Sequence, residues 1–197
     1  VTLATYETHA ARYIEATSTA RSAVIDDLIA LVPTGSTVLE LGSGPGRDAN
    51  DLERAGLFVS RTDGAAVFVQ RFRSMGIEAR TLNVFAADFG GPFDAVFANA
   101  VLLHVGRAEL AGVLGVALRA TRVGGVLVAS FKEGVGDGWS NRKLGAPRHF
   151  TYWQEADLGR VATAAGWNDV TVTESTQSTS IERWITLTAR NATAVNE

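Results

Sequence analysis

A chain of 197 residues, 46% hydrophobic and 20% charged, is long enough to bury one sizeable core and has the balance of an ordinary globular domain. Its net charge of −3 comes without a basic run or a basic helix face, which argues against nucleic acid as a principal partner. The absence of cysteine excludes disulfides, Cys-based zinc sites and any reaction through a covalent Cys adduct, and no metal is expected. No apolar stretch reaches the length of a membrane span and the first residues lack a signal peptide's apolar core, so no membrane partner and a cytoplasmic location are the expectations.

Taken in chain order, apolar periodicity predicts helices over Thr5 to Ala16 and Ser18 to Leu31, closed by the Pro33-Thr34-Gly35 turn. Thr37 to Leu41 is a short, nearly all-apolar run suited to a central strand buried on both faces. A glycine-rich turn and a helix over Arg47 to Ala55 follow, then a strand over Leu57 to Thr62, a helix over Ala65 to Met75 and a strand over Ile77 to Val84. Next come a strand over Phe93 to Asn99, a helix over Arg107 to Ala120, a strand over Gly125 to Phe131 and a helix over Glu155 to Ala165. Two strands close the chain, Val170 to Glu174 and Arg183 to Thr188, with a Ser/Thr-rich loop between them. The alternation predicts an α/β fold, a doubly wound and mostly parallel sheet whose last two strands pair as an antiparallel hairpin.

One segment breaks the rhythm. Residues 132–153 have no regular period, and a loop of that length after a strand's carboxyl end reads as a substrate lid. The expected organisation is therefore one domain over 1–190, with covering helices in 1–32, a lid in 132–153 and a loose polar tail in 191–197.

The strongest chemical signal is Glu40-Leu41-Gly42-Ser43-Gly44-Pro45-Gly46 between a buried strand and a helix. Glycines there permit positive φ and bring a ligand against the backbone, and the free N–H groups of a helix start favour an anionic group. A tight turn without ligand is the alternative. A dinucleotide fingerprint would need a third glycine at position 47, which is Arg47, and this disfavours a nicotinamide-dependent oxidoreductase. Asp63-Gly64 follows the second strand, where the acid suits ribose hydroxyls, a helix N-cap, or both at once. Asp88-Phe89 follows the third strand, as a ligand-facing pair or as a loop acid beside a core ring.

The acid two residues before G-x-G-x-G resembles the first motif of class I S-adenosylmethionine-dependent methyltransferases, and the resemblance extends over nearly the whole chain. Phe93 to Ala100 is similar to the family's fourth strand, continued by Val101-Leu102-Leu103-His104-Val105. Val123-Gly124-Gly125 stands at its turn before the fifth strand, with Val123 where the family usually has proline. Ser130 to Gly134 resembles a small bacterial branch of the family.

The resemblance implies a seven-stranded Rossmann-like methyltransferase sheet, S-adenosylmethionine as cofactor and a small-molecule substrate. It implies cofactor contacts from Glu40, Gly42, Ser43, Gly44 and Gly46, a ribose contact from Asp63 beside Gly64, and an adenine contact from Asp88 with Phe89. Asn99 and Ala100 would add contacts at the fourth strand's end, and Tyr13 would approach the methionine carboxylate. His104 falls near the transferable methyl, as a base or as a packed ring. Tyr6, His9 and Tyr13 share a helix face, suited to substrate or to core. Arg148 and Tyr152 lead the basic and aromatic residues of the lid, which suit an aromatic or anionic substrate or, equally, a solvated loop with buried anchors. The stretch Asn99 to Leu102 lacks the Asn/Asp-Pro-Pro-aromatic motif of nucleic-acid amine methylation, which favours an oxygen or nitrogen of a small metabolite. A non-catalytic, cofactor-binding regulator is the rival expectation.

Overall fold

The computed structural model describes residues 1–17, 21–176 and 182–192. Four parallel strands form the centre: β1 (Thr37–Glu40), β2 (Phe58–Asp63), β4 (Phe93–Ala98) and β5 (Thr121–Lys132), with the two-residue β3 (Arg80–Thr81) beside β2. Two antiparallel strands, β8 (Asn168–Glu174) and β9 (Trp184–Arg190), complete a seven-stranded sheet of order β3-β2-β1-β4-β5-β9-β8. The predicted α/β sheet with its antiparallel terminal pair is what forms.

Alternation along the strands sets the two faces. Val38, Ala95, Phe97, Val126 and Val128 point to one side, into a core with Val24, Ile25 and Leu28 of α3 (Val24–Leu31) and Leu52 of α4 (Arg47–Arg54). Leu39, Leu41, Val96, Ala98, Leu127 and Ala129 point to the other, against α6 (Arg107–Ala120) and α7 (Glu155–Ala164). Burial on both faces explains why the central strands read as unbroken apolar runs. Strand order reverses between β1 and β4, which opens a crevice at their carboxyl ends.

Three elements differ from expectation. The first helix is two, α1 (Thr2–Thr8) and α2 (Ala10–Thr17), because His9 leaves helical geometry at φ −113°, ψ 25°. In the helix predicted from Ser18, residues 18–20 lie outside the described residues, 21–23 are not helical and α3 begins at Val24. Residues 132–153 are a structured ribbon: β6 (Asp137–Ser140) pairs antiparallel with β7 (Arg148–Thr151), and Trp139 opposes His149 with ring centroids 5.1 Å apart. That aromatic cross-strand pair stabilises a register invisible to a periodicity count, because each strand is only four residues long. Residues 177–181 of the Ser/Thr loop and 193–197 of the tail lie outside the described residues. Among those described, no helix is long and apolar enough to cross a membrane.

Helix α5 (Ala66–Ser74) opens directly after β2, and Glu7 of α1 reaches over to it, accepting the N–H groups of Ala66 and Val67. Thr5 Oγ donates to the Pro147 carbonyl at 2.7 Å, and the His149 N–H donates to Thr2 Oγ at 2.9 Å. These bonds seat α1 as a cover between α5 and β7, above the crevice.

Candidate active site

Three cavities meet at the strand ends. The first, about 200 Å³, lies between the glycine turn with Asp63 on one side and Leu82 to Phe85 on the other. A second, about 280 Å³, continues toward Ser22, Arg47 and Asp48. The third, about 430 Å³, lies toward the ribbon and the start of β9. Tyr13 and Ala100 stand on the walls of all three, and Tyr6 and His104 divide the first from the third.

The glycine turn owes its composition to two causes. Gly42, Gly44 and Gly46 have φ of +68°, +51° and +87°, a region where a side chain is strained. A Cβ at Gly42 would also overlap the Val101 side chain, and one at Gly46 would lie 2.5 Å from the Phe72 ring. A Cβ on Gly44 would meet only Tyr13, at 3.4 Å across the cavity, so this position keeps open the approach of a ligand to bare main chain. Ser43 ties the turn to β2: its N–H donates to the Thr62 carbonyl at 2.7 Å and its Oγ accepts the Thr62 N–H at 3.1 Å.

Asp63 does not cap α5, whose N-cap position is Ala65; it holds the turn ahead of the helix and faces the cavity. Its Oδ1 accepts the Ala65 N–H at 2.7 Å and its Oδ2 the Gly44 N–H at 2.8 Å, leaving further lone pairs toward the cavity it lines beside Gly64. Burial pushes its carboxyl up to about 6, opposed by those two N–H groups and assisted by Glu7. Glu40 is buried with one oxygen, Oε2, lacking a hydrogen-bond partner; burial raises it to about 8, and the Ser43 side chain pulls against that. It stands behind the turn, off the cavity walls.

Asp88 and Phe89 are elsewhere. Asp88 is exposed and accepts the Gly90 N–H at 2.8 Å, and Phe89 is fully buried in the core. The third strand ends at Thr81 rather than Val84, so the chain turns earlier and presents Leu82, Asn83, Val84 and Phe85 to the first cavity. The polar–apolar pair after the strand is thus Asn83-Val84. The available signal was a polar–apolar pair two residues past the strand's true end at Thr81.

Asn99 is fixed on three sides. Its Nδ2 donates to Asp48 Oδ2 at 2.5 Å and Ser22 Oγ at 2.9 Å, and its Oδ1 accepts Ser130 Oγ at 2.7 Å. Ala100 holds φ +56°, a left-handed conformation costly for a residue with a Cβ, and its N–H donates to Ser130 Oγ at 2.8 Å. The strain sits at the junction of the three cavities. Arg47 donates to Asp48 at 3.1 Å and to the Thr17 carbonyl, which lines the second cavity with opposite charges.

His104 ends a short 3-10 turn (Leu102–His104) after β4. Its Nδ1 bonds the His149 carbonyl, which can only accept; Nδ1 therefore carries the hydrogen and Nε2 keeps a lone pair. The Tyr6 hydroxyl lies 3.0 Å from Nε2 and donates to it, while accepting Arg148 Nη1 at 3.3 Å. Burial pulls His104 down to about 4; the His149 carbonyl opposes this, and Arg148 and Lys132 add to it. The ring is neutral near pH 7.

Of the remaining candidates, Tyr13 packs edge-on to Tyr6 at 5.1 Å, whereas His9 and Tyr152 reach none of the three cavities. Tyr152 faces Gly134, and its carbonyl accepts from Arg107. Trp184, unpredicted, joins the site because β9 pairs with β5 in the register Lys132↔Trp184, which no local signal encodes.

Residues 39–129 match the family model described as a methyltransferase domain. No curated protein matches the sequence. Among solved structures, the 1,6-didemethyltoxoflavin-N1-methyltransferase of Burkholderia thailandensis, with 1,6-didemethyltoxoflavin and S-adenosylhomocysteine bound, superposes at TM-score 0.70; it is 20% identical, over 96% of this chain and 88% of that one. Phosphoethanolamine N-methyltransferase 2 of Haemonchus contortus, in complex with S-adenosyl-L-methionine, gives 0.69 at 14% identity, over 94% of this chain and 57% of its own. The cyclase SpnF gives 0.71 at 14% identity over 96% and 94%, so the same fold carries more than one reaction. The central residues 39–129 thus carry a methyltransferase domain, and the chain as a whole shares its fold with S-adenosylmethionine-dependent methyltransferases.

Proposed function

We propose that this chain binds S-adenosylmethionine across the tips of β1, β2 and β4 and transfers its methyl group to an oxygen or nitrogen of a small molecule. The observation that carries the reading is the junction itself: a nucleoside-sized cavity with a buried carboxylate and bare main chain meets a second chamber at a wall of Tyr6, Tyr13, Ala100 and His104. The neighbours crystallised with S-adenosylmethionine or its product support the cofactor. When bound, the cofactor supplies an electrophilic methyl on a sulfonium.

The chain's own residues divide the remaining work. Asp63 accepts ribose hydroxyls with the lone pairs that Gly44 and Ala65 leave free, and Leu82 to Phe85 form the slot for the base. Ser43, Gly44, Arg47 and Asp48 offer an amino acid zwitterion both signs of charge in the second cavity. Glu40 keeps the turn's polar back wall. Tyr6 and Tyr13 shut water out from above, which matters because methyl transfer is an in-line displacement in which the enzyme mainly positions and desolvates.

A hydroxyl or ring-nitrogen acceptor loses a proton as it is methylated. His104 holds a lone pair aimed at this junction by a fixed tautomer, and Tyr6 stands between it and the chamber. The acceptor's proton passes to Tyr6 oxygen as the Tyr6 proton moves to His104 Nε2.

Calorimetry with S-adenosylhomocysteine tests the cofactor. Micromolar binding that weakens in Asp63→Ala is the expected outcome, and absence of binding to either S-adenosylmethionine or S-adenosylhomocysteine removes the proposal. Turnover against a panel of small phenols, acids and heterocycles then separates an enzyme from a silent binder.

A further inference from the structure

The third cavity is lined by four cations and, among the described residues, a single carboxylate. Lys132, Arg142, Lys143 and Arg148 all stand on its wall, and the one carboxylate there, Glu182, accepts Lys132 Nζ at 2.7 Å. Arg148 is 6% exposed, yet among the described residues it belongs to no ion pair. Its Nε has no hydrogen-bond partner, and Nη1 makes only the 3.3 Å bond to Tyr6. The rings of Tyr6 and Phe150 lie 5.8 and 5.1 Å from its guanidinium carbon.

Burying a guanidinium without an anion is costly, and two aromatic faces offset only part of that cost. Natural cores avoid this arrangement unless the missing charge arrives with a ligand. A guanidinium fork fits an oxyanion of planar or tetrahedral shape through two parallel bonds, which a lone lysine cannot make. Partial burial, and then the neighbouring Arg148, pull Lys143 below the usual lysine range; Glu182 opposes this, and Lys132 and Arg47 add to it. That is the mark of a crowded positive chamber.

We propose that Arg148 anchors an oxyanion group of the methyl acceptor, with Lys143 and Arg142 as outer partners, so that the substrate class is small acids bearing a nearby hydroxyl or nitrogen. The proposal rests on the reading of the adjoining cavity as the cofactor site. Its geometry is self-consistent: Arg148 bonds the same Tyr6 oxygen that bonds His104, so an acceptor held by its anion presents atoms a few ångströms away to Tyr6. An anion seated there also cancels the push of Arg148 and Lys132 on His104 and strengthens it as a proton acceptor.

The test titrates full-length protein, with and without S-adenosylhomocysteine, with three probes: salicylate, phenyl phosphate and the uncharged salicylamide. Salicylate or phenyl phosphate is expected to bind at least roughly tenfold more tightly than salicylamide, about 1.4 kcal/mol. Whichever anion binds better distinguishes a carboxylate acceptor from a phosphate ester. Arg148→Met should abolish the preference. Because that buried position could affect folding, Arg142→Gln at the exposed rim, on the wall of the third cavity and of neither of the other two, serves as the second variant, with a partial loss of preference and S-adenosylhomocysteine affinity unchanged. Equal binding of charged and neutral probes, or failure of both anions to bind, overturns the proposal. If S-adenosylhomocysteine does not bind while the anion preference persists in the cofactor-free protein, the cofactor reading fails and the anion site stands.

Discussion

The two walls of the site are held together in opposite ways. The strand-tip wall is built on main chain: the Gly44 N–H bonds Asp63 and the Ser43 N–H bonds the Thr62 carbonyl, partners 19 residues apart that tie the turn after β1 to the end of β2. The cover is a side-chain structure, in which Tyr6 meets His104 across 98 residues, Thr5 meets Pro147 across 142 and Thr2 meets His149 across 147. A cradle made of main chain is as rigid as the sheet that carries it. A cover tied by a handful of tertiary hydrogen bonds can part from the sheet without unfolding it, as the proposed entry of a cofactor and an acceptor requires.

The largest expected effect falls on the cover's chemical side. His104→Gln removes the lone pair that the fixed tautomer aims at Tyr6, and Tyr6→Phe removes the hydroxyl between it and the chamber. Either should lower turnover of a hydroxyl acceptor by on the order of 10²–10⁴. Affinity for S-adenosylhomocysteine should change by no more than about threefold, well under 1 kcal/mol. A parallel loss of affinity and turnover in His104→Gln would place the ring in the cradle instead, and erase the distinction between the walls.

The cradle has its own breaking point. Gly42→Val forces a side chain onto φ +68° and into Val101, and it should cost roughly 2–5 kcal/mol of stability, with S-adenosylhomocysteine binding lost. Thermal unfolding and calorimetry check this together; a variant that melts and binds as wild type does would show that the turn tolerates what its backbone forbids.

Asp63 sharpens the comparison by pH. Its carboxyl sits at about 6, so it is mostly ionised at pH 7 and mostly protonated at pH 5. Protonation removes acceptor capacity from a group already serving two N–H donors, so cofactor affinity should fall as pH drops through 6, by about tenfold or more for one lost charged hydrogen bond. Asp63→Asn should bind weakly at both values, with a flat profile. A wild-type affinity independent of pH between 5 and 7 sinks the assignment of Asp63 as the ribose acceptor.

This division of labour also explains what was legible in the sequence. The cradle is written in a local spacing, Glu40-x-Gly42-x-Gly44-x-Gly46, and in one residue after a strand, Asp63; both can be read from a window of a few residues. The alternating apolar runs sufficed for the sheet because Val38, Ala95, Phe97, Val126 and Val128 all point one way. Asp88 shows the limit: three residues of error in a strand's end transfer the expected contact from Asn83 and Val84 to an exposed acid. Beyond that limit lies the cover. Tyr6, His104 and Arg148 become neighbours only through a two-stranded ribbon and a helix laid across the sheet, and Trp184 joins them through the pairing of β9 with β5. No single segment contains that information.

The smallest effect tests whether the cover moves. Glu7 is the single carboxylate of α1, and its two oxygens accept the first free N–H groups of α5, where the helix dipole also favours negative charge. Glu7→Gln keeps the shape and one acceptor oxygen, and it removes the charge, so the expected cost is about 1 kcal/mol, concentrated at the docking of α1 rather than in the sheet. Amide exchange should therefore accelerate severalfold in residues 2–17 and 148–151 and stay unchanged in β1, β4 and β5. S-adenosylhomocysteine should restore the slow exchange, since a ligand that touches Tyr6 and Tyr13 binds the closed form alone. If exchange instead rises uniformly across sheet and cover, the N-terminal helices unfold with the domain as one unit, and a hinged cover has no physical basis.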